Sequence, residues 1–174
     1  MNRFSVCLPH ILEFEGGVAN DAADHGGFTM CGITQETFDD WNADQRRPKR
    51  SVRSITREEI EAIYRDRYWD ACCCDDLPIP LDLAVFDAAV QHGTGRAAKL
   101  LQRTVGATID GEIGPKTLYA VQTLVLQHRT ERLVEDYMDL RAAFYAGIIA
   151  RDPSQKKFER GWAKRMARLE VLLK

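Results

Sequence analysis

The chain has 174 residues, with 24 Lys and Arg against 26 Asp and Glu and a formal charge of −2. Its hydrophobic fraction of 45% and charged fraction of 29% are those of an ordinary globular protein, and no run approaches the ~20 apolar residues of a membrane span. Pro9, His10 and Glu13 interrupt the stretch after Met1-Asn2-Arg3-Phe4-Ser5, so no cleaved secretory signal is expected.

Val6, Ile11, Leu12 and Phe14 line an opening helix that Gly16-Gly17 should stop, since glycine readily enters the left-handed region. Residues 18–33 hold Asn20, Asp21, Asp24, Gly26, Gly27 and Gly32, too many turn formers for a helix, and a small irregular β-hairpin is expected there. Thr34 to Trp41 reads as a short helix with Phe38 and Trp41 inward. The basic stretch Gln45-Arg46-Arg47-Pro48-Lys49-Arg50-Ser51-Val52-Arg53 reads first as a solvated loop, with a nucleic-acid patch as the rival. Thr56-Arg57-Glu58-Glu59 is a capping box, and the helix it starts buries Ile60, Ile63 and Tyr64.

After the break at Pro78 and Pro80, Leu81 to Val90 is apolar around most of its surface, as befits a helix inside a core. Ala97 to Val105 is a short amphipathic helix, and Asp110-Gly111-Glu112-Ile113-Gly114-Pro115 is a turn with Pro115 at the next helix's first position. Leu118, Val121, Leu124 and Val125 mark that helix. Leu133, Tyr137, Leu140, Phe144 and Ile148 mark a long one. The last, about 155–173, sets Phe158, Trp162, Met166 and Leu169 against Lys157, Arg160, Lys164 and Arg168. The class is mainly α with one small irregular β element near the N-terminus.

The near-zero net charge conceals a division. Residues 1–90 carry nine basic and seventeen acidic side chains, a net of −8, while residues 91–174 carry fifteen and nine, a net of +6. Such local fields steer association more than a global balance does. The five cysteines, Cys7, Cys31, Cys72, Cys73 and Cys74, are odd in number and three are adjacent, so thiols are expected in place of a disulfide framework. His10, His25, His92 and His128 gather at no recognisable ligand spacing, so neither metal nor cofactor is expected.

Glu15 is the first candidate for chemistry. It falls in the last turn of a predicted helix, where the negative end of the helix dipole disfavours a second negative charge, as a general acid near neutral pH requires. Gly16 and Gly17 allow another chain or a substrate close to it. Asp24 lies nine residues on and Thr29 follows. An acid to protonate a leaving oxygen and a second polar group to support a water suit glycosidic hydrolysis. Asp21 and Asp24 also suit plain turn capping, a role favoured for Asp21 and evenly weighed for Asp24. Of Tyr68 and Trp69, which could stack on sugar faces, helical spacing makes at least one a core residue.

The run from Phe14 to Thr34 resembles the signature of the glycoside hydrolase family 108 muramidases, lysozyme-like enzymes of phage lysis cassettes and of some bacterial secretion loci. The resemblance continues through Glu58, Ile63-Tyr64, Tyr68-Trp69 and Phe86-Asp87-Ala88-Ala89-Val90. In the second half Leu101-Gln102, the Asp110–Pro115 turn, Thr117 and Gly161-Trp162 with Arg165 resemble the peptidoglycan-binding portion associated with that family. It implies a lysozyme-like catalytic part at residues 1–92 and a helical peptidoglycan-binding part at 93–174, packed as one unit. It also implies hydrolysis of the β-1,4 bond between N-acetylmuramic acid and N-acetylglucosamine, with Glu15 as proton donor, Asp24 as second carboxylate and Thr29 beside the water. Met30-Cys31 and Gln91-His92 depart from the family pattern, the latter where an Asn is common; Gln91 remains a substrate contact for an N-acetyl group, and Tyr68 another.

Bacterial peptidoglycan is the expected partner. The basic C-terminal helix is expected to touch anionic wall or membrane weakly; no specific nucleic acid is expected, and the chain is read as a monomer. Synthesis in the cytoplasm without a signal peptide, then action in the periplasm or wall after release by another route, is the expected localisation. Two alternatives stay open: a lytic transglycosylase acting on the same bond, and a non-catalytic wall-binding protein.

Overall fold

The computed structural model describes residues 2–15, 18–19 and 29–174, with residues 18, 19 and 29 described by backbone alone. Eight α-helices dominate the described residues, which divide into two compact units, Met1–Arg67 and Tyr68–Lys174.

In the first unit, helix α1 (Arg3–Phe14) is capped by Asn2, whose side-chain oxygen accepts from Phe4 N at 2.8 Å. Phe4, Cys7, Leu8 and Ile11 form its buried face at helical spacing, and the expected Leu12 and Phe14 sit at its margin, half-buried. Strands β1 (Val18–Ala19) and β2 (Thr29–Met30) pair antiparallel, Val18 opposite Met30 and Ala19 opposite Thr29. The irregular hairpin expected between them falls on residues 20–28, outside the described residues. Directly after β2, Met30 and Ile33 exchange main-chain hydrogen bonds of 3.1 and 3.0 Å across Cys31-Gly32. Both central residues are left-handed (φ 51° and 75°), the signature of a two-residue turn of the type that matches strand twist.

Helix α2 (Gln35–Asp44) starts at Thr34, whose hydroxyl accepts from Thr37 N, and buries Phe38 and Trp41. Helix α3 (Arg57–Tyr64) has the predicted capping box in full, Thr56 to Glu59 and back, and buries Ile60, Ile63 and Tyr64. Between them the basic stretch lies strapped to the unit's own carboxylates and rings. Arg50 and Arg47 both pair with Glu59, Lys49 reaches Asp39 at 3.4 Å, and Arg47 and Arg50 lie over Trp41 and Phe38. Gln35 closes the strap by accepting from Val52 N and donating to Arg50 O.

The second unit is built on helix α4 (Leu81–His92), whose residues Leu81 to Ala89 are all buried, as the apolar sequence predicts. Helix α5 (Thr94–Val105) and helix α7 (Thr130–Arg151) pack against it; helix α6 (Pro115–Leu126) packs on α5 and α7, and helix α8 (Glu159–Leu172) packs on α7. On α7 the buried row is Leu133, Tyr137, Arg141 and Tyr145 with Val134 and Met138, whereas Phe144 and Ile148 are half-buried. Hydropathy cannot flag Arg141, so the row shifts from the one the apolar residues suggest. Trp69 is fully buried and meets Phe86 edge-on at 5.2 Å, which makes it the core member of the Tyr68-Trp69 pair.

The turn Asp110–Pro115 is held by two side chains, Asp110, whose Oδ1 accepts from Glu112 N at 2.9 Å, and Gln102. Gln102, fully buried on α5, donates to Asp110 Oδ1 at 2.6 Å and Glu112 O at 2.9 Å, and accepts from Gly111 N at 3.0 Å. Such a saturated buried amide fixes the loop that starts α6 at Pro115. None of the cysteines forms a disulfide; burial pushes the Cys72 thiol up to about 12, and Cys73 Sγ donates to Ile113 O. These thiols are packing and turn elements.

Candidate active site

Glu15 closes α1. It is the C-cap residue, its N–H donating to Ile11 O at 3.2 Å, and its side chain is half-buried. The carboxylate lies against the Cys31-Gly32 turn. A Cβ added at Gly32 would stand 2.9 Å from Glu15 Oε2 and 3.2 Å from the hydroxyl of Tyr64. Tyr64, 2% exposed on α3, donates that hydroxyl to Cys31 O at 2.7 Å. Burial and the negative charge of Glu15 raise the Cys31 thiol above its ordinary range. One acid, one tyrosine hydroxyl and the bare backbone of a glycine thus converge, drawn from a helix end, a turn and a second helix. Sequence reading placed Tyr64 in the core and Gly32 among turn formers. Their signal was faint, because 17 residues separate Glu15 from Gly32 and 32 separate Gly32 from Tyr64.

Asp24, with Asp21, Gly16 and Gly17, lies outside the described residues, and Thr29 is described only as a backbone partner of Ala19 in β2. A cleft of about 410 Å³ opens elsewhere in the first unit, lined by Trp41, Arg47, Glu58, Glu59 and Asp66, without Glu15.

Tyr68 is half-buried. Gln91, at the end of α4, belongs to a buried ionic network. Asp87, fully buried, receives Arg141 at 2.5 Å and Arg165 at 2.9 Å. Arg141 also donates to Gln91 Oε1 at 2.8 Å, and the Tyr145 hydroxyl donates to the same oxygen. Because a guanidinium can only donate, Gln91 must present its oxygen there, and its amide nitrogen is left to face other acceptors. Desolvation, then repulsion from Arg141, lowers His92 to about 4, so this ring is neutral at pH 7. Trp162 stacks on Tyr145 at 4.8 Å, closing the network from α8. Among the described residues no group of three or more His, Cys, Asp or Glu could hold a metal ion, and no helix is long and apolar enough to cross a membrane.

Comparison with known proteins divides the chain in two. Residues 8–93 match a family described as glycosyl hydrolase 108, and residues 96–167 match one described as a predicted peptidoglycan domain. The solved structure of SagA from Brucella abortus is 35% identical and superposes with a TM-score of 0.81, over 98% of this chain and 92% of that one. No curated protein matches the chain.

Proposed function

Because the chain belongs to the glycosyl hydrolase 108 family, and so is a glycosidase of peptidoglycan with a mainly α, lysozyme-like fold, we propose that it cleaves the β-1,4 bond from N-acetylmuramic acid to N-acetylglucosamine by hydrolysis, with Glu15 as general acid. The observation that carries this reading is the seat of the Glu15 carboxylate against Gly32, beside the buried Tyr64 hydroxyl. A carboxyl group packed against a turn and beside a buried hydroxyl has less freedom than one in open solvent, and positioning is a large part of what an acid catalyst must supply. The missing side chain at Gly32 keeps that space open for the acid.

Protonation of the glycosidic oxygen by Glu15 lets the bond to the muramic acid C1 break as positive charge spreads over the ring and its oxygen. Water then adds at C1, helped by a second polar group, the role we assign to Asp24 with Thr29 beside the water. Gln91, whose oxygen is already committed to Arg141 and Tyr145, has its amide N–H groups for an N-acetyl carbonyl. Tyr68 offers a ring face to a sugar. We assign the α8 face of Lys157, Arg160, Lys164 and Arg168 a weak hold on the anionic wall, and we read the chain as a monomer that acts at the wall.

The test is turbidity clearing of purified sacculi by wild type and by Glu15→Gln, which keeps shape and removes the proton. Loss of clearing by 10²-fold or more is expected from removal of a general acid. Clearing by Glu15→Gln at the wild-type rate refutes the assignment.

A further inference from the structure

The second unit holds a cleft of about 310 Å³ where the ends of α5 and α6 meet the start of α7, lined among others by Arg103, Thr104, Leu124, Arg129, Arg132 and Asp136. Its charge is uneven. Arg132 is neutralised by Asp136 at 2.6 Å and by Glu135 at 3.5 Å. Arg103 and Arg129 have no ion-pair or side-chain hydrogen-bond partner among the described residues, although both line the same space. The one carboxylate lining the cleft, Asp136, is already paired with Arg132, so Arg103 and Arg129 leave it a net positive charge that a bound anion would offset.

Both arginines stand at helix ends, where the ordinary explanation would be neutralising loose carbonyls. The main chain has already met that need. Gly106 N and Ala107 N bond the carbonyls of Arg103 and Gln102, and Arg129 N and Gln127 N both bond that of Leu124. Arg129 is also the N-cap residue of α7 and supplies no side-chain cap, so the first-turn N–H groups of this 22-residue helix add positive potential beside the cleft.

We propose that this cleft is an anion-binding site for a carboxylate of the peptidoglycan stem peptide, with Arg103 and Arg129 as its ligands. The proposal rests on peptidoglycan as the substrate and is independent of Glu15. Planar guanidiniums pair with carboxylates through two parallel hydrogen bonds, which suits a peptide carrying free D-glutamyl and C-terminal carboxylates. The cleft's apolar wall, Leu124 and Leu133, suits the alanine side chains of such a peptide.

The experiment titrates the full wild-type chain with a synthetic stem tetrapeptide containing no glycosidic bond, read by calorimetry and backbone amide shifts. Binding that weakens with salt, with shifts at residues 129–133, is expected. Arg103→Ala and Arg129→Ala, both exposed and without side-chain partners among the described residues, should each weaken it about tenfold, the worth of one charge-assisted bond. Arg151→Ala, an exposed arginine at the opposite end of α7, should leave it unchanged. Equal binding by both arginine variants overturns the proposal, as does equal binding of a peptide with amidated carboxylates. Inorganic phosphate binding as tightly as the peptide also overturns it, since the site would then be a general anion trap. Because the probe lacks the scissile bond, none of these outcomes bears on Glu15.

Discussion

Gly32→Ala tests the geometry of the acid most sharply, because it adds one methyl group at a known place. The backbone there has φ of 75°, in the left-handed region. Holding a residue with a Cβ in that region costs about 1–2 kcal/mol, which lowers Tm by roughly 2–8 °C in a chain of this size. The added carbon would sit 2.9 Å from Glu15 Oε2 and 3.2 Å from the Tyr64 hydroxyl. Restoring ordinary contact therefore moves the carboxylate by about half an ångström, and displacement of a reacting group on the order of 1 Å costs about 10²-fold in rate. Activity should fall roughly ten- to hundredfold. Gly106→Ala is the control, since Gly106 is also left-handed (φ 68°) but an added Cβ meets nothing within 4 Å. It should show the stability loss without the activity loss. Thermal melts and turbidity clearing of sacculi on both variants measure the two effects separately. Gly32→Ala with wild-type clearing, or both variants equally impaired, would refute the claim that Gly32 makes room for the acid.

Three further outcomes concern the second unit. Asp87→Ala strands Arg141 and Arg165 without their shared carboxylate and should cost about 3–5 kcal/mol in chemical denaturation; a loss under 1 kcal/mol would show that the network is dispensable. Gln102→Ala removes the buried amide that ties Asp110, Gly111 and Glu112, and should destabilise by about 2–4 kcal/mol, from several lost bonds and the donors and acceptors left behind. Raised hydrogen exchange at residues 110–114 should accompany it, and its absence would mean that the loop holds itself. His92 takes up a proton at about 4 when folded against an ordinary 6.5, so the unfolded chain binds more protons between those values. Stability from this group is full above pH 6.5 and is lost as pH falls towards 4. His92→Gln should flatten the fall in Tm across that window, and an unchanged slope would place the pH dependence elsewhere.

Local signals were readable in the sequence. The Thr56 capping box, Pro115 at a helix start, the apolar run of α4 and the inward Phe38 and Trp41 each depend on neighbours within a few residues, and each has the structure its residue types dictate. Charged side chains used in the interior were not readable. Arg141 and Arg165 look like surface residues by type, and only the fold brings them to Asp87, 54 and 78 residues away. The basic stretch at 46–53 reads as a solvated loop, but its neutralising partners, Glu59 and Asp39, could not be named from it because they come from flanking helices. At the candidate site Glu15 stood out through its helix-end position. Gly32 and Tyr64 did not, because a turn glycine and a helical tyrosine have common structural uses, and their convergence on the acid is a product of tertiary packing alone.

The central claim is that Glu15 gives its proton to the leaving oxygen of the glycosidic bond, and that water then adds at the freed C1. Mass spectrometry of the products released from purified sacculi by wild type and by Glu15→Gln tests it most directly. Wild type should release muropeptides with reducing N-acetylmuramic acid ends, and Glu15→Gln none at equal protein and time. Anhydromuramic ends from wild type, or the same products in the same yield from Glu15→Gln, would contradict it.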